Sequence, residues 1–386
     1  MRKGTIQELE YDLMWYKRSD YIDFPYGKKY QKKKTYPSVW KIFFFIFVFV
    51  LLWRLVYEWK IQLGYNNKDI TTNDPKGVSV STIGKSYTVG PNWKNDLIEV
   101  GGNLLYSPGH SRDGRQKRIG RSSDYLYIWM YNITHRDTLT LMKKLAQHNV
   151  QLRFILEDKK YIQDLNSKDI GALGWGIQVK NDSLLWTNYV HAKWFISSDY
   201  FIIQTANLTN GGFNSSREYY FISENKQILD SLKIIYDKDW IGQKISPSDI
   251  HPNLLICPID CRVKIQDLLS NANHSVLLQN QYLQDKKITD ILKNKIDNGL
   301  DVKITIPDNL DNRKNTIWYG SGIKFVWSPY IHAKMILIDD IYLILSSINI
   351  SSNSMDNNRE LGIIIMDREI IEQFKKVFYI DRNKGK

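Results

Sequence analysis

The chain has 386 residues, 43% apolar and 24% charged, a globular composition that excludes wholesale disorder. With only two cysteines, Cys257 and Cys261, it is neither a disulfide framework nor a zinc ribbon. The net charge is +12, and residues 1–60 hold 12 Lys/Arg against 6 Asp/Glu, which favours an anionic partner, membrane or nucleic acid.

Residues 1–38 are polar and rich in Lys and Tyr, and read as a basic tail. Residues 39–59 come next as a transmembrane anchor. From Trp40 to Trp59 the sequence runs WKIFFFIFVFVLLWRLVYEW, 20 residues and about one hydrocarbon thickness at helical rise. Trp40, Trp53 and Trp59 suit the interface, and Lys41 and Arg54 lie where they can snorkel. Six lysines and no acid occupy residues 28–41, so the positive-inside rule leaves the tail cytoplasmic and exports the chain beyond residue 60. Residues 60–91 are a polar linker.

Two stretches then repeat one order of elements, giving a first lobe over 92–248 and a second over 249–386. In the first, Asn103–Ser107 is a strand and HSRDGRQKRIGR, His110–Arg121, a basic loop. DYLYIWMY is a buried strand, HRDTLTLMKKLAQHN a helix and VQLRFIL a strand. In the second, LLICPI is a strand, RVKIQDLLSNA a helix, HSVLLQNQY a strand, ITDILKNKIDNG a helix ending at Gly299, and DVKITIP a strand. Cys257 and Cys261 read as two ordinary thiols near a strand end. The expected fold class is α/β, two similar sandwich lobes facing each other.

Each lobe then reaches the same signature. The first reads His191-Ala-Lys193, Ser198-Asp199, Thr205-Ala-Asn207 and Glu218. The second reads His332-Ala-Lys334, Asp339, Ser346-Ser347-Ile-Asn349 and Glu360. On a strand, a His-x-Lys pair puts both side chains on one face. An imidazole beside an ammonium suits a phosphate: one attacks or protonates, the other neutralises non-bridging oxygens. An Asn returning on the neighbouring hairpin strand adds an amide donor. A carboxylate accepting the imidazole's far N–H fixes its tautomer and raises its basicity.

The duplicated pattern resembles the HKD phospholipase D superfamily over roughly residues 92–382. The resemblance implies one active site at the interface of the lobes, an internal pseudo-dimer, with a phosphohistidine intermediate and no metal or other cofactor. It assigns catalysis to His191, Lys193, Asn207, Glu218, His332, Lys334, Asn349 and Glu360, with His191 the nucleophile and His332 the general acid/base. Thr205 and Ser347 are assigned to substrate binding. The first motif departs from the family pattern, with Ser198 where Asp is expected and Gln204-Thr205 for Gly-Ser, while Ser346 replaces a glycine in the second. The motif Asp belongs at a hairpin turn away from phosphate, so its displacement bears on stability.

Three substrate readings are open. The first is a membrane-anchored phospholipase D or cardiolipin synthase-like phosphatidyltransferase whose partner is the phospholipid membrane. The second is an anchored nuclease of the same superfamily, its basic loop tracking nucleic acid. The third is a catalytically weak pair of lobes that only binds an anion.

Overall fold

The structure, a computed structural model, describes residues 89–90, 92–109, 111–157, 177–180, 187, 189–316, 320 and 322–386. The predicted tail, the anchor over 39–59 and nearly all of the linker lie outside the described residues. Among the described residues no helix is long and apolar enough to cross a membrane.

The first half contains β1 (Asn103–Ser107), α1 (Ser111–Ile119), β2 (Tyr125–Met130), α2 (Arg136–Gln147), β3 (Gln151–Leu156), β4 (Ile177–Lys180), β5 (Trp194–Ser197), β6 (Phe201–Gln204), α3 (Asn210–Asn214), β7 (Ser216–Ser223) and α4 (Lys226–Trp240). The second contains β8 (Leu254–Cys257), α5 (Cys261–Ser270), β9 (Ser275–Asn280), α6 (Lys286–Asp297), β10 (Asp301–Pro307), α7 (Leu310–Asn315) and β11 (Ile323–Val326). It continues through β12 (Tyr330–Ile331), β13 (Lys334–Ile338), β14 (Tyr342–Ser346), α8 (Ser352–Asp356), β15 (Glu360–Ile365) and α9 (Arg368–Arg382).

The strands form two sheets of the same topology, β1-β7-β6-β5-β2-β3-β4 and β8-β15-β14-β13-β9-β10-β11. In each, a strand-helix-strand unit builds the parallel side, and the hairpin after the His-x-Lys motif builds the antiparallel side. Local signals repeat as well. His135 caps α2 by accepting the Thr138 N–H, and Asp285 caps α6 by accepting that of Ile288. Past the ends of these helices, Asn149 and Gly299 both take a positive φ, 64° and 84°.

Alternation along the strands divides the core into three. Ile128 and Met130 face outward under α2, with Leu139, Met142 and Leu145. Val276, Leu278 and Ile304 do the same under α5 and α6. Between the sheets a third cluster joins both halves: Trp129, Trp194 and Phe221 share it with Leu277, Met335 and Leu345, and with Tyr236 of α4 and Phe374 of α9. Burial of this shared layer holds the lobes face to face.

Two sequence expectations change here. The basic loop is helix α1, and Arg115 lies fully buried between the rings of Phe213 and Tyr220, 3.7 and 4.2 Å from their centroids, donating to Gln204 Oε1 at 2.9 Å. Burial lowers its pKa to about 10. Arg118 stacks over Tyr200 and pairs with Glu224. Two of the five basic residues are thus committed to packing. Cys257 and Cys261 form a disulfide across the turn from β8 into α5. Residues 93–101, expected to open the first lobe, touch both: Trp93 Nε1 donates to Asp267 and the Val100 and Gly101 N–H groups to Asp367 of the second, while Val100 O accepts from Asn225 Nδ2 of the first.

Candidate active site

Both His-x-Lys motifs enter the hairpins β5–β6 and β13–β14 at the end where the inner faces of the lobes meet. Backbone pairing crosses the interface there. The His191 N–H donates to Arg359 O at 3.0 Å, and the His332 N–H to Arg217 O at 3.2 Å. Tyr330–Ile331 adds in parallel to Ser216–Arg217.

The side chains cross too. His191 Nδ1 lies 2.8 Å from both oxygens of Glu360, and His332 Nδ1 lies 2.6 Å from Glu218 Oε1. Each histidine is therefore oriented by the other lobe's carboxylate. This geometry assigns the proton to Nδ1 and leaves Nε2 as the free lone pair. Lys193 Nζ donates to His191 O at 2.7 Å; Lys334 Nζ donates to His332 O at 2.6 Å and lies 3.1 Å from His332 Nδ1.

Thr205 and Ser347, expected to touch substrate, do something else. Both are fully buried and donate to a carboxylate at 2.5 Å, Thr205 to Glu218 and Ser347 to Glu360. They also accept the N–H groups of Tyr219 and Leu361. These hydroxyls hold the acids that hold the histidines. Glu360 gains two further donors, Ser354 Oγ at 2.9 Å and Asn358 Nδ2 at 3.4 Å. Gly212 stands in the place of Ser354 in α3, where a Cβ would meet Asn207 O at 2.5 Å.

The two motifs line one cavity of about 370 Å³. His191, Asn207, His332 and Asn349 face it, with Tyr131, Tyr189, Gln281 and Ser354 around them. Asn207 Oδ1 and Asn349 Oδ1 are buried without a hydrogen-bond partner among the described residues. Tyr131 meets His191 edge-on, with ring centroids 5.1 Å apart. The motif acids lie elsewhere. Asp339 turns the β13–β14 hairpin and accepts the N–H groups of Asn273, His274 and Ser275, and Asp199 is exposed beside Arg118.

Burial dominates the electrostatics. It lowers the His191 pKa to about 4, against the opposing pull of Glu360 and with help from Lys193. His332 is lowered by burial too, again against its glutamate. Burial brings Lys193 to about 7 and Lys334 to about 8. Burial alone raises a carboxyl, yet His191, Lys193 and Ser347 together keep Glu360 below its ordinary value. The site thus holds neutral imidazoles and ammonium groups ready to lose their charge, a balance that an arriving phosphate reverses.

A family model described as "Cardiolipin synthase, PLD-like domain" matches residues 116–240 and again 265–382, more than half of the chain. The chain belongs to the phospholipase D superfamily. It is 26% identical over 130 residues to cardiolipin synthase 1 of Staphylococcus epidermidis, covering 31% of this chain and 26% of that protein. To cardiolipin synthase 2 of the same species it is 21% identical over 335 residues, 72% and 67% of the respective chains. It is 28% identical over 130 residues to the major cardiolipin synthase of Bacillus subtilis, 30% of this chain and 27% of that one. The match with cardiolipin synthase 1 thus spans about a quarter of that relative's length. The fold is similar to that of phosphatidylserine synthase from Haemophilus influenzae Rd KW20, with a TM-score of 0.57 at 14% identity, covering 76% of this chain and 90% of that one.

Within this phospholipase D-type frame, the residues that sequence reasoning missed are Ser354, Asn358 and Tyr131, and the arginine before each glutamate. The arginines had a signal: Arg217-Glu218 and Arg359-Glu360 are the same dipeptide at the same place in each repeat.

Proposed function

We propose that the protein is a phosphodiesterase or phosphatidyltransferase acting on phospholipid through a covalent phosphohistidine. The observation that carries this reading is the crossed pair of partly buried imidazoles, each tied at Nδ1 to the other lobe's glutamate and both facing one cavity.

His191 Nε2 attacks phosphorus, and the bond from phosphorus to the head-group oxygen breaks. His332, protonated when the phosphate binds, gives its proton to that oxygen. Neutral His332 then takes a proton from water or an acceptor alcohol, whose oxygen attacks phosphorus and displaces His191. Lys193, Lys334 and the amide N–H groups of Asn207 and Asn349 stabilise the equatorial oxygens. One such preorganised donor is worth ~3 to 4 kcal/mol. His191 is assigned as nucleophile because burial keeps it the neutral imidazole against the pull of Glu360, whose charge is shared with Ser347, Ser354 and Asn358.

Two features favour lipid over nucleic acid. Arg115 and Arg118 of α1 are turned into packing rather than toward a phosphate backbone. In addition, Leu310 and Trp327, each 74% exposed, and Tyr330, 41% exposed, flank the ends of β10 to β12. Tyr330 joins this apolar rim to the cavity by accepting from Gln281 Nε2. An apolar rim with a polar floor suits a lipid surface. Residues 39–59 are the proposed anchor that keeps the site, outside the cytoplasm, beside the bilayer.

The test offers the full chain, in detergent, phosphatidylglycerol vesicles with and without added glycerol, and single-stranded DNA in parallel. The expected result is release or exchange of the lipid head group with DNA left intact. DNA cleavage without lipid turnover makes the protein a nuclease, and no turnover of either leaves an anion-binding protein.

A further inference from the structure

The Arg-Glu dipeptides make a second crossed contact that the chemistry above does not use. Arg217 is buried; its Nε and Nη2 donate to the two oxygens of Asp381 in α9 at 2.5 and 2.8 Å, and its Nη1 to Ser107 O at 2.7 Å. Arg359 is buried likewise; its Nη2 donates to Asp239 in α4 at 2.7 Å, and its Nη1 to Cys257 O at 3.3 Å. Ser107 pairs in register with Glu218, and Cys257 with Glu360, so both acceptors sit beside the glutamates. Asp381 also accepts from Gln279 Nε2, whose Oε1 receives the Tyr219 hydroxyl.

Each dipeptide therefore grips the opposite lobe at three points. Its guanidinium holds the final helix, its carbonyl receives the histidine's N–H, and its carboxylate holds the histidine's ring. We infer that Arg217 and Arg359 are positioning residues, each setting the histidine of the other lobe through this grip. The Arg359–Asp239 clamp governs His191, and the Arg217–Asp381 clamp governs His332. The division comes from connectivity. Slackening Arg359 moves Arg359 O and Glu360, both of which touch His191, while slackening Arg217 moves Arg217 O and Glu218, both of which touch His332. A displacement of about 1 Å in a reacting group costs on the order of 100-fold in rate. A lysine in place of either arginine keeps the charge and loses the fork.

The inference rests on the two-histidine reading, and its test separates the two. The full chain in detergent is given a phosphatidyl ester of 4-nitrophenol, whose leaving group needs no protonation. The burst of nitrophenolate then reports attack by His191, and the steady state reports breakdown assisted by His332. Arg359→Lys is expected to slow the burst about tenfold or more while sparing breakdown, and Arg217→Lys to do the reverse. A second readout needs no turnover: in ¹⁵N imidazole spectra Arg359→Lys shifts the His191 signals and leaves those of His332, and Arg217→Lys does the converse. Equal slowing of both phases by both variants, or shifts of both imidazoles together, overturns the inference and leaves the arginines as packing. Wild-type protein that releases no nitrophenolate sinks the two-histidine reading, and the imidazole spectra still decide the clamps.

Discussion

Substituting Glu360→Gln removes one charge and changes almost no volume. The carboxylate accepts from His191 Nδ1 at 2.8 Å, Ser347 Oγ at 2.5 Å and Ser354 Oγ at 2.9 Å. A hydrogen bond to a charged group is worth ~1.5 to 3 kcal/mol, so its loss at His191 predicts a fall in turnover of about 10- to 150-fold. The amide also brings an NH₂ against groups that donate, and Ser347 Oγ is already occupied by the Leu361 N–H. That mismatch costs about 1 to 3 kcal/mol of stability. A third consequence concerns Lys193, which Glu360 helps to keep protonated. Without the carboxylate its pKa falls further, and the alkaline limb of the pH profile moves to lower pH. The assay is head-group release from phosphatidylglycerol vesicles between pH 4 and 10, with a melting curve for each protein. A folded variant within about twofold of wild type, or an alkaline limb that moves up, refutes the reasoning.

Other outcomes come from the same structure. The wild-type kcat/KM should fall as pH rises through about 7 to 8, where Lys193 and Lys334 lose their ammonium charge; a flat profile from pH 6 to 10 contradicts this. His191 is held at about 4, so below its ordinary value the unfolded chain binds a proton that the folded one refuses. Stability should therefore decline as pH falls from about 6.5 toward 4, and the urea midpoint measures it. Replacing Cys257 and Cys261 by serine opens a very short loop and should cost about 2 kcal/mol by chain entropy, read from the same midpoint. Arg115→Ala removes a buried cation stacked on two rings and should destabilise by about 2 to 4 kcal/mol, as seen by calorimetry. A phosphate-binding role for that residue instead predicts normal stability and weaker anion affinity.

Much of the fold was legible because its signals are local. The buried strand Tyr125–Met130, the amphipathic helix Arg136–Gln147 and their repeats Ser275–Asn280 and Lys286–Asp297 all arise from period and caps. Helix α1 was not legible, because SRDGRQKRI has no apolar stripe and turns inward only one apolar residue, Ile119, beside an arginine, Arg115. Its counterpart, CRVKIQDLLS, reads as a helix, so the repeat carried the information that the segment itself lacked. The repeated motif residues were legible in order along the chain, but the exchange of the glutamates between lobes was not. Sequence order sets Glu218 near His191, whereas folding about a pseudo-two-fold sets it on His332. Thr205 and Ser347 were misread for a related reason. Proximity to Asn207 and Asn349 in the chain suggests the phosphate, yet hydrogen bonding across to β7 and β15 turns both hydroxyls onto the acids. The disulfide depended on a turn that brings the end of β8 onto the start of α5, which spacing alone does not establish.

Trapping the covalent enzyme tests the central claim most directly. Full-length protein mixed with phosphatidylglycerol labelled with ³²P, then quenched and digested, should carry label on the peptide containing His191. The bond should be labile to acid and stable to base, and with the 4-nitrophenyl ester, whose departure needs no acid, His332→Asn should accumulate it. Label on any other residue, or none while head group is released, contradicts the account.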